Sequence, residues 1–240
     1  MNSDYVYGKL PVLECLRAEK RPALKLFLLR DAKGFGEIQK AAAGIPVETC
    51  ARADLDKLTR GAVHQGVVLE AGPLPVLALA EWIDSPPPGD AIAVILDGVE
   101  DPHNFGAIVR SAAACGAAAV IFGKDRAAPL SPAAMKSAAG GMEHVTLVRA
   151  TNLVRAIDTL KEHGFWIAAL DPSSDQLLWE ADLTGRIALV IGSEGKGIRR
   201  LVLEHCDHRL RIPLEGPITS LNASVCAGIA LAECLRQRKS

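Results

Sequence analysis

Short apolar runs alternate with segments of helical periodicity along the part of the chain that follows residue 90. The runs are rich in Val, Ile, Leu and Ala, which is typical of strands buried on both faces of a parallel sheet. They predict strands at 91–96, 118–122, 144–148, 165–170, 187–191 and 208–212. Helices are predicted at 106–115, from 131 to the glycines at 140–141, at 151–162 and 198–206, and after residue 222. This alternation predicts an α/β domain with a parallel sheet covered by helices.

Residues 1–74 show the same alternation on a smaller scale. Helices are predicted at 8–18, 36–43 and 52–58, and strands at 24–29, 45–49 and 66–70. Between the two regions stand Gly72-Pro73-Leu74-Pro75 and Pro86-Pro87-Pro88, and proline continues neither a helix nor a central strand. We therefore predict a small α/β domain at 1–74, a linker at 75–89 with room for one helical turn around 77–82, and a larger α/β domain at 90–240.

The overall composition narrows the class of protein. Of the 240 residues, 49% are hydrophobic and only 4% aromatic, which indicates an aliphatic core. The net charge of −1 argues against a strongly basic nucleic-acid binder, although a local basic patch is sufficient for RNA. Six cysteines form no CxxC pair and no zinc spacing, so we expect buried thiols and no metal. No basic leader or membrane-length apolar run is present, so we expect a cytoplasmic protein without a membrane partner.

A polar stretch follows the first predicted strand of the larger domain. Asn104 stands where a helix N-cap is expected, and Gly106 and Arg110 share one helix face, so that glycine leaves space beneath the guanidinium. Arg110 is the one charge in a helix otherwise made of small and apolar residues. It is either a structural ion-pair partner or an anion clamp, because the planar fork of arginine suits phosphate.

Glycine-bearing loops follow the last two predicted strands. Gly192–Gly197 has the spacing G-x-x-G-x-G, which matches neither the dinucleotide fingerprint nor a Walker loop. Its one carboxylate, Glu194, is either a hydrogen-bond acceptor in a pocket or a solvated loop charge. In the second loop, at 212–224, Ser220 or Asn222 is expected to cap the last helix. Exposed main-chain groups in two such loops predict a ligand pocket at the carboxyl ends of the strands.

The last predicted helix is rich in small residues, with a glycine, Gly228, in its interior. A glycine inside a helix costs about 1 kcal/mol relative to alanine. We therefore expect close packing of this helix against another helix or another subunit.

In the smaller domain, His64-Gln65-Gly66 precedes the last strand. This tripeptide is either an ordinary polar loop or a set of hydrogen-bonding groups beside a flexible turn.

Three ordered motifs resemble those of the SpoU/TrmH family of AdoMet-dependent RNA ribose 2′-O-methyltransferases, in the SPOUT superfamily. They are D-P-x-N-x-G-x-x-x-R at 101–110, G-S-E-G-x-G at 192–197 and I-P-x-x-G-x-x-x-S-L-N-x-S at 212–224. The smaller domain, with Tyr7-Gly8 and His64-Gln65-Gly66, is similar to the extension of the branch that methylates guanosine in 23S rRNA. Ala223 stands where that family usually has valine, and Leu214 where methionine is common.

This resemblance implies a fold and an assembly. The larger domain is expected to be a SPOUT domain, a parallel sheet whose C-terminal chain forms a deep trefoil knot. Periodicity alone does not predict a knot, since general topology rules count knots as nearly absent. The smaller domain is expected to be an L30e-like fold that binds RNA. The resemblance also implies a homodimer with catalytic residues near the subunit interface.

The resemblance further implies roles for individual residues. AdoMet is expected to be held largely through backbone groups of Gly192, Ile212, Leu214, Leu221 and Asn222. The catalytic residues implied are Asn104, Arg110 and Glu194. The residues implied to bind the RNA substrate are Ser220, His64 and Gln65. No metal is implied.

Other functions stay open at this point. The RNA could be a tRNA rather than 23S rRNA. The chain could also be a non-catalytic RNA-binding or ribosome-assembly factor, although intact Asn104, Arg110, Glu194 and Asn222 argue against this. A third alternative is an ordinary open-sheet nucleotide-binding enzyme whose glycine loops hold phosphate.

Overall fold

The computed structural model of the protein describes residues 4–85, 87–124 and 130–239. Its internal contacts divide the chain into two compact units. The first consists of Met1–Pro75 and Ala139–His144, and the second of Val76–Ala138 and Val145–Ser240. The smaller unit therefore includes a short segment from the middle of the larger predicted domain.

The first unit is a four-stranded sheet with helices on both faces. Its strands are β1 (Asp4–Tyr7), β2 (Ala23–Leu29), β3 (Val47–Cys50) and β4 (Val67–Ala71), and its helices are α1 (Lys9–Ala18), α2 (Gly36–Ala41) and α3 (Arg52–Leu58). The order is β1-β4-β2-β3, with β2 and β3 parallel and the other pairs antiparallel. Because side chains alternate along β2, Leu26 and Leu28 pack with α1 and α2, whereas Phe27 packs with Leu55 of α3.

A buried ion pair binds residues 139–144 into the first unit. Arg21 Nη2 donates to Glu143 Oε1 at 2.6 Å, and both side chains are at most 4% exposed. Burial by itself would lower the pKa of Arg21, but the attraction and hydrogen bond of Glu143, together with those of Cys15, outweigh burial and the pKa is raised. Gly140, with φ of +93°, passes so close to Glu14 that a Cβ would lie less than 3.0 Å from the Glu14 side chain. The segment is therefore held by charge and by backbone fit.

The second unit is built on a seven-stranded sheet in which every pair of neighbours is parallel. Its strands are β5 (Val76–Ala78), β6 (Ala91–Asp97), β7 (Ala119–Gly123), β8 (Thr146–Ala150), β9 (Trp166–Leu170), β10 (Arg186–Gly192) and β11 (His208–Leu210), in the order β11-β9-β10-β6-β7-β8-β5. Its helices are α4 (Leu79–Ile83), α5 (Pro102–Ala114), α6 (Pro132–Ala138), α7 (Leu153–Glu162), α8 (Arg200–Glu204) and α9 (Ala223–Lys239).

Helices cover both faces of this sheet, which is why its central strands are almost wholly apolar. Ala93 and Ile95 of β6 belong to a core that also contains Ile157 of α7 and Val202 of α8. A separate group of helices is formed by α5, which contacts both α6 and α9, and α9 in turn contacts β10. The α/β class with a parallel sheet is thus confirmed.

All nine predicted strands are present, with ends displaced by at most two residues. The apolar pattern does not predict β1 or β5, which are edge strands of four and three residues. Within the predicted linker at 75–89, the helical turn expected around 77–82 is present as α4, whereas the strand Val76–Ala78, which pairs with β8, was not predicted. Trp82 and Ile83 are buried in the core of the second unit. The strand β5 is difficult to recognise in the sequence because it is short and follows Pro75 directly. Pro86, in the second proline cluster, lies outside the described residues.

Two helix caps differ from the prediction by a few positions. Asp101, not Asn104, caps α5, and its carboxylate accepts from the backbone N–H groups of His103 and Asn104. Thr151, the first residue of the helix predicted at 151–162, was the expected cap of α7, but Asn152 is the residue that caps it. In both places two residues with capping side chains stand close together in the sequence, so the pattern alone does not choose between them.

We expect Glu143→Ala to destabilise the first unit strongly. The substitution removes the close, buried partner of the Arg21 guanidinium and leaves it only the half-exposed Asp4 at 3.4 Å, and breaking a buried pair costs about 3–5 kcal/mol. Thermal unfolding followed by circular dichroism should show a transition lowered by roughly 10 °C or more.

The matched control for this measurement is Arg17→Ala, which removes only exposed ion pairs with Glu14 and Glu37. It should change the free energy of unfolding by at most about 1 kcal/mol. Equal midpoints for the two variants would contradict the role given to Arg21 and Glu143.

Candidate functional site

The carboxyl ends of β6 and β10 lie side by side at one edge of the large sheet. In their register Gly192 of β10 stands opposite Asp97 of β6. Because all strands of this sheet are parallel, the loops that follow β6, β9, β10 and β11 leave from the same edge. In open α/β sheets this edge is where ligands bind.

The loop after β10 is closed on itself and leaves no room for a side chain at its base. Ser193 N donates to Gly197 O at 3.1 Å, and Gly197 N donates to Ser193 O at 2.9 Å. Gly195 and Gly197 have φ of +82° and +64°, which favour glycine. A Cβ at Gly192 would lie less than 3.0 Å from backbone atoms of Gly197 and Ile198. The glycine spacing therefore serves a tight loop that presents Glu194 at its tip.

Asn104, Glu194 and Asn222 form a hydrogen-bonded triangle from three distant parts of the chain. Asn104 Nδ2 donates to Glu194 Oε1 at 2.7 Å, and Asn222 Nδ2 donates both to the same oxygen and to Asn104 Oδ1, the latter at 2.9 Å. Asn222 Oδ1 accepts from Ser224 N at 2.8 Å, so Asn222 also caps α9. Of the two predicted capping residues, the structure selects Asn222 rather than Ser220.

Helix α5 brings Asn104 to this triangle and packs closely against α6. Asn104 lies in the first helical turn and is only 7% exposed. A Cβ at Gly106 would lie within 3.0 Å of Ala134 O and Ser137 Cβ. The expectation that Gly106 leaves space for the guanidinium of Arg110 is therefore wrong, because the glycine is required by the contact between α5 and α6.

A cavity of about 480 Å³ opens between the loops that follow β9, β10 and β11. It is lined by all five residues predicted to hold the cofactor, which are Gly192, Ile212, Leu214, Leu221 and Asn222. Glu194 and Ser220 also line it, and Asn104 reaches it through its bond to Glu194. The volume lies in the range of small-molecule sites. Apolar side chains and main-chain groups dominate its walls, which suits an adenosine-sized ligand read by backbone hydrogen bonds.

Arg110 does not line this cavity. It lies two turns beyond Asn104 on α5, is exposed, and makes no hydrogen bond or ion pair with any residue in the described ranges. No described residue thus serves as the ion-pair partner that the structural interpretation of Arg110 requires. The other interpretation, a guanidinium available to an external anion, is consistent with this exposure.

An ion pair beside the site has no counterpart in the sequence predictions. Asp97, at the end of β6, is buried, and its two oxygens accept from Arg199 N at 2.8 Å and from Arg199 Nε at 2.7 Å. This contact fixes the chain that follows the Gly192–Gly197 loop. The only sequence signal for this ion pair is a single Asp at the end of a buried strand. That signal does not identify Arg199 as the partner.

In the first unit, His64 and Gln65 have different environments. His64 is 4% exposed, its Nε2 lies 3.0 Å from Asp56 Oδ1, and its Nδ1 accepts from Gly66 N at 3.0 Å. Both ring nitrogens are therefore used within the unit. Gln65 is exposed, and its Oε1 accepts from Lys9 N at 2.8 Å at the start of α1. The side-chain amide nitrogen of Gln65 remains available.

The cysteines have the environments of unreactive thiols. All six cysteines are free, and burial raises the pKa of Cys206 to about 12 and that of Cys15 to about 11. Across residues 4–85, 87–124 and 130–239 no His, Cys, Asp and Glu side chains form a group of three that could hold a metal ion. In the same ranges, no helix combines the length and hydrophobicity needed to cross a bilayer.

Comparison with known proteins places these motifs in a family. Residues 91–232 match the model of the SpoU rRNA Methylase family, and residues 5–77 match the model for RNA 2′-O ribose methyltransferase substrate binding. The first match alone covers more than half of the chain. The chain belongs to the SpoU rRNA methylase family. Its triangle of Asn104, Glu194 and Asn222 joins the three motifs on which the resemblance rests.

Relatives of similar length support the same assignment. The chain is 40% identical over 248 residues to the 23S rRNA (guanosine-2′-O-)-methyltransferase RlmB of Yersinia pestis, covering 98% of each protein. It is also 40% identical to RlmB of Escherichia coli K12, over 98% of this chain and 99% of that protein.

Solved structures of the family share the fold over nearly the whole chain. An RNA 2′-O ribose methyltransferase is 28% identical, with a TM-score of 0.80 over 99% of this chain and 90% of that chain. The SpoU methyltransferase AviRb of Streptomyces viridochromogenes, solved with AdoMet, is 24% identical, with a TM-score of 0.82 over 99% of this chain and 91% of that chain.

We expect Gly192→Ala to abolish AdoMet binding. The added methyl group clashes with Gly197 and Ile198, so the Ser193–Gly197 closure must open and the cavity wall must move. Isothermal titration calorimetry with AdoMet should show at least a hundredfold loss of affinity. Gly216→Ala is the control, since no atom lies within 4 Å of a Cβ there. Equal affinities for the two variants would contradict the importance of the closed loop.

Proposed function

We propose that the protein transfers the methyl group of AdoMet to the ribose 2′-hydroxyl of a guanosine in 23S rRNA. The hydrogen-bonded triangle of Asn104, Glu194 and Asn222 at the wall of the cavity carries this proposal. The triangle combines one carboxylate with two amides. It lies where a cofactor held in the cavity by main-chain groups would meet solvent. The 40% identity to RlmB over nearly the full length of both proteins favours 23S rRNA over tRNA as the substrate.

The cavity suits AdoMet because its walls offer backbone groups and aliphatic side chains rather than fixed charges. Gly192, Ile212, Leu214 and Leu221 would hold the cofactor, together with the backbone of Asn222. When bound, AdoMet supplies a methyl group activated by its sulfonium centre. Aligning this group with a ribose oxygen in line provides much of the rate enhancement, since a positioned pair of reactants avoids the entropic cost of encounter.

Glu194 and its amide partners have the geometry to orient the ribose. Glu194 Oε1 accepts from Asn104 and Asn222, whereas Oε2 makes no hydrogen bond with a residue in the described part of the chain. In this proposal Oε2 accepts a hydrogen bond from the 2′-hydroxyl, and Ser220 contacts the same nucleotide from the cavity rim. With AdoMet bound, the proton of the 2′-hydroxyl would pass to Glu194 Oε2 as the hydroxyl oxygen takes the methyl group and the S–CH₃ bond breaks, which leaves S-adenosylhomocysteine.

Arg110 is proposed to clamp a phosphate of the RNA rather than to remove the proton. A guanidinium stays protonated in proteins, so it is a poor base, but its planar fork binds phosphate oxygens in pairs. Its exposure and lack of an ion-pair partner in the described chain fit this role. A homodimer would bring Arg110 of one subunit toward a site formed with the other.

The first unit is proposed to be an L30e-like domain that binds the RNA. Gln65 is exposed beside Lys9, and its free amide group can contact a nucleotide. His64 supports this corner instead, because its ring fixes Gly66 N and Asp56 from a buried position. Of these two predicted substrate-binding residues, Gln65 is proposed to contact the RNA and His64 to hold the loop in place.

The homodimer and the trefoil knot are further parts of this proposal. A Cβ at Gly228 would meet only Ser111 Oγ, at 4.0 Å, so packing within one chain does not explain this mid-helix glycine. A second copy of the chain packed against α9 would explain the absence of a side chain at this position. For the knot, the support is the match of residues 91–232 to the SpoU family model. A cytoplasmic location follows from a ribosomal RNA substrate.

The dimer predicts that bulk at Gly228 separates the subunits. We expect Gly228→Gln to elute as a monomer with half the mass of the unaltered protein in size-exclusion chromatography with light scattering. The chain has room for the added Cβ, and a thermal unfolding curve of the variant checks that the fold is intact. A dimeric Gly228→Gln protein would argue against α9 as the interface.

The test of the proposed function is tritium transfer from labelled AdoMet to 23S rRNA transcribed in vitro. We expect transfer with the unaltered protein and a loss of at least a hundredfold with Arg110→Ala, because the phosphate clamp is removed. AdoMet affinity measured by calorimetry should stay within twofold, since Arg110 does not line the cavity. Arg110→Lys keeps the charge without the fork and should retain partial activity.

The other outcomes of this assay identify the alternatives. Near-normal turnover by Arg110→Ala would overturn its role. Transfer to tRNA but not to 23S rRNA would change the substrate. RNA binding without transfer would favour a ribosome-assembly factor, and preferential binding of ATP over AdoMet would favour an ordinary nucleotide-binding enzyme.

A further inference from the structure

A second cavity, of about 650 Å³, lies at the same edge of the large sheet on the other side of the Gly192–Gly197 loop. Ser193 and Gly197 line both cavities, so the closed base of the loop is a common wall. Glu194 faces the first cavity and Lys196 lines the second. The second cavity lies at the ends of β6 and β7, which is again the ligand-binding edge of a parallel sheet.

The charged groups around this second cavity favour an anion. Lys124 and Lys196 are exposed, and neither has an ion-pair partner among the residues of the described ranges. Arg199 is held in place by Asp97 through Nε, and its two terminal nitrogens make no hydrogen bond to a residue that the structure describes. The carboxylate of Asp97 is fully buried and already neutralised by this pair. Glu100 is the one other carboxylate among the described residues of the wall, and these residues carry more cations than anions.

The remaining wall is apolar and large enough for a nucleobase. Leu153 and Val154 contribute from the start of α7, and Leu201 contributes from α8. Leu201 is 55% exposed, which is unusual for a leucine that has a core beside it. Apolar surface next to lysines is the combination that single-stranded nucleic acid requires, since the base packs on the wall and the phosphate meets the cations.

We propose that this second cavity binds a nucleotide of the substrate RNA that neighbours the methylated one. The inference rests on the proposed function. The target ribose lies at Glu194, and the strand crosses the Ser193–Gly197 wall so that the adjacent phosphate contacts Lys196 and Lys124. The neighbouring base occupies the apolar side beside Leu201. The loop thus separates the cofactor side from a subsite that fixes the register of the RNA.

The experiment uses the full-length protein and 23S rRNA transcribed in vitro, with affinity measured by filter binding at several salt concentrations. The double variant Lys124→Ala/Lys196→Ala should bind the transcript at least tenfold more weakly. Its slope of log affinity against log salt should fall by roughly 0.7 for each phosphate that the lysines no longer neutralise. Leu201→Trp, which fills the cavity without removing charge, should raise KM for the transcript several-fold and leave the salt slope unchanged.

Lys239→Ala is the matched control. Lys239 is an exposed lysine at the end of α9, where Arg238 Nη2 donates to Ala91 O at the opposite, amino end of β6. It should leave both affinity and slope unaltered. AdoMet affinity, measured for all variants, should stay within twofold and shows that the fold is intact.

Each outcome separates this inference from the proposed function. Methyl transfer by the unaltered protein, together with unchanged affinity and slope in the double variant, would overturn the subsite alone. Absence of both transfer and RNA binding in the unaltered protein would overturn the subsite and the proposed function together.

Guanosine monophosphate is the second probe. Loss of its binding in the double variant with unchanged affinity for the transcript would assign the cavity to a free nucleotide and overturn the subsite.

Discussion

The close approach of the Gly192 backbone to residues 197–198 is the constraint on which the site depends. β10 is a central strand, buried on both faces, so the chain that leaves it has little freedom until it reaches the sheet edge. There the loop folds back on the strand end, and this requires a residue without a Cβ. The fold-back has two effects. It places Glu194 beside Asn104 and Asn222, and it divides the sheet edge into a cavity on either side.

Polar bonds then join parts of the chain that are far apart in sequence. The triangle links α5, the loop after β10 and the start of α9, while Asp97 binds Arg199 from the neighbouring strand. Asn222 uses both ends of its amide, one toward the triangle and one as the cap of α9. Because the helix start and the site share this residue, the position of α9 and the position of Glu194 are fixed together.

Much of the fold was predictable from periodicity, and the failures have local causes. The parallel strands are apolar throughout because helices cover both faces, so their runs are easy to recognise. β5 was not predicted because a strand of three residues directly after Pro75 carries too little pattern. The inclusion of 139–144 in the first unit depends on the pairing of Arg21 with Glu143, two charges separated by about half of the chain. No local window contains that information. The same holds for Gly106, whose neighbour in space is the backbone of α6.

For the site, the glycine spacing and the three motifs indicated the right loops, and the five predicted cofactor residues line one cavity. What sequence did not supply was the direction of the hydrogen bonds. Each amide in the triangle must point its nitrogen toward Glu194, and the acceptor end of Asn104 is in turn occupied by Asn222. Deamidation, which turns Asn into Asp with no change of shape, would replace a donor by a second anion facing the first. A site of this kind therefore has a chemical lifetime, set by how well the fold protects two side-chain amides from hydrolysis.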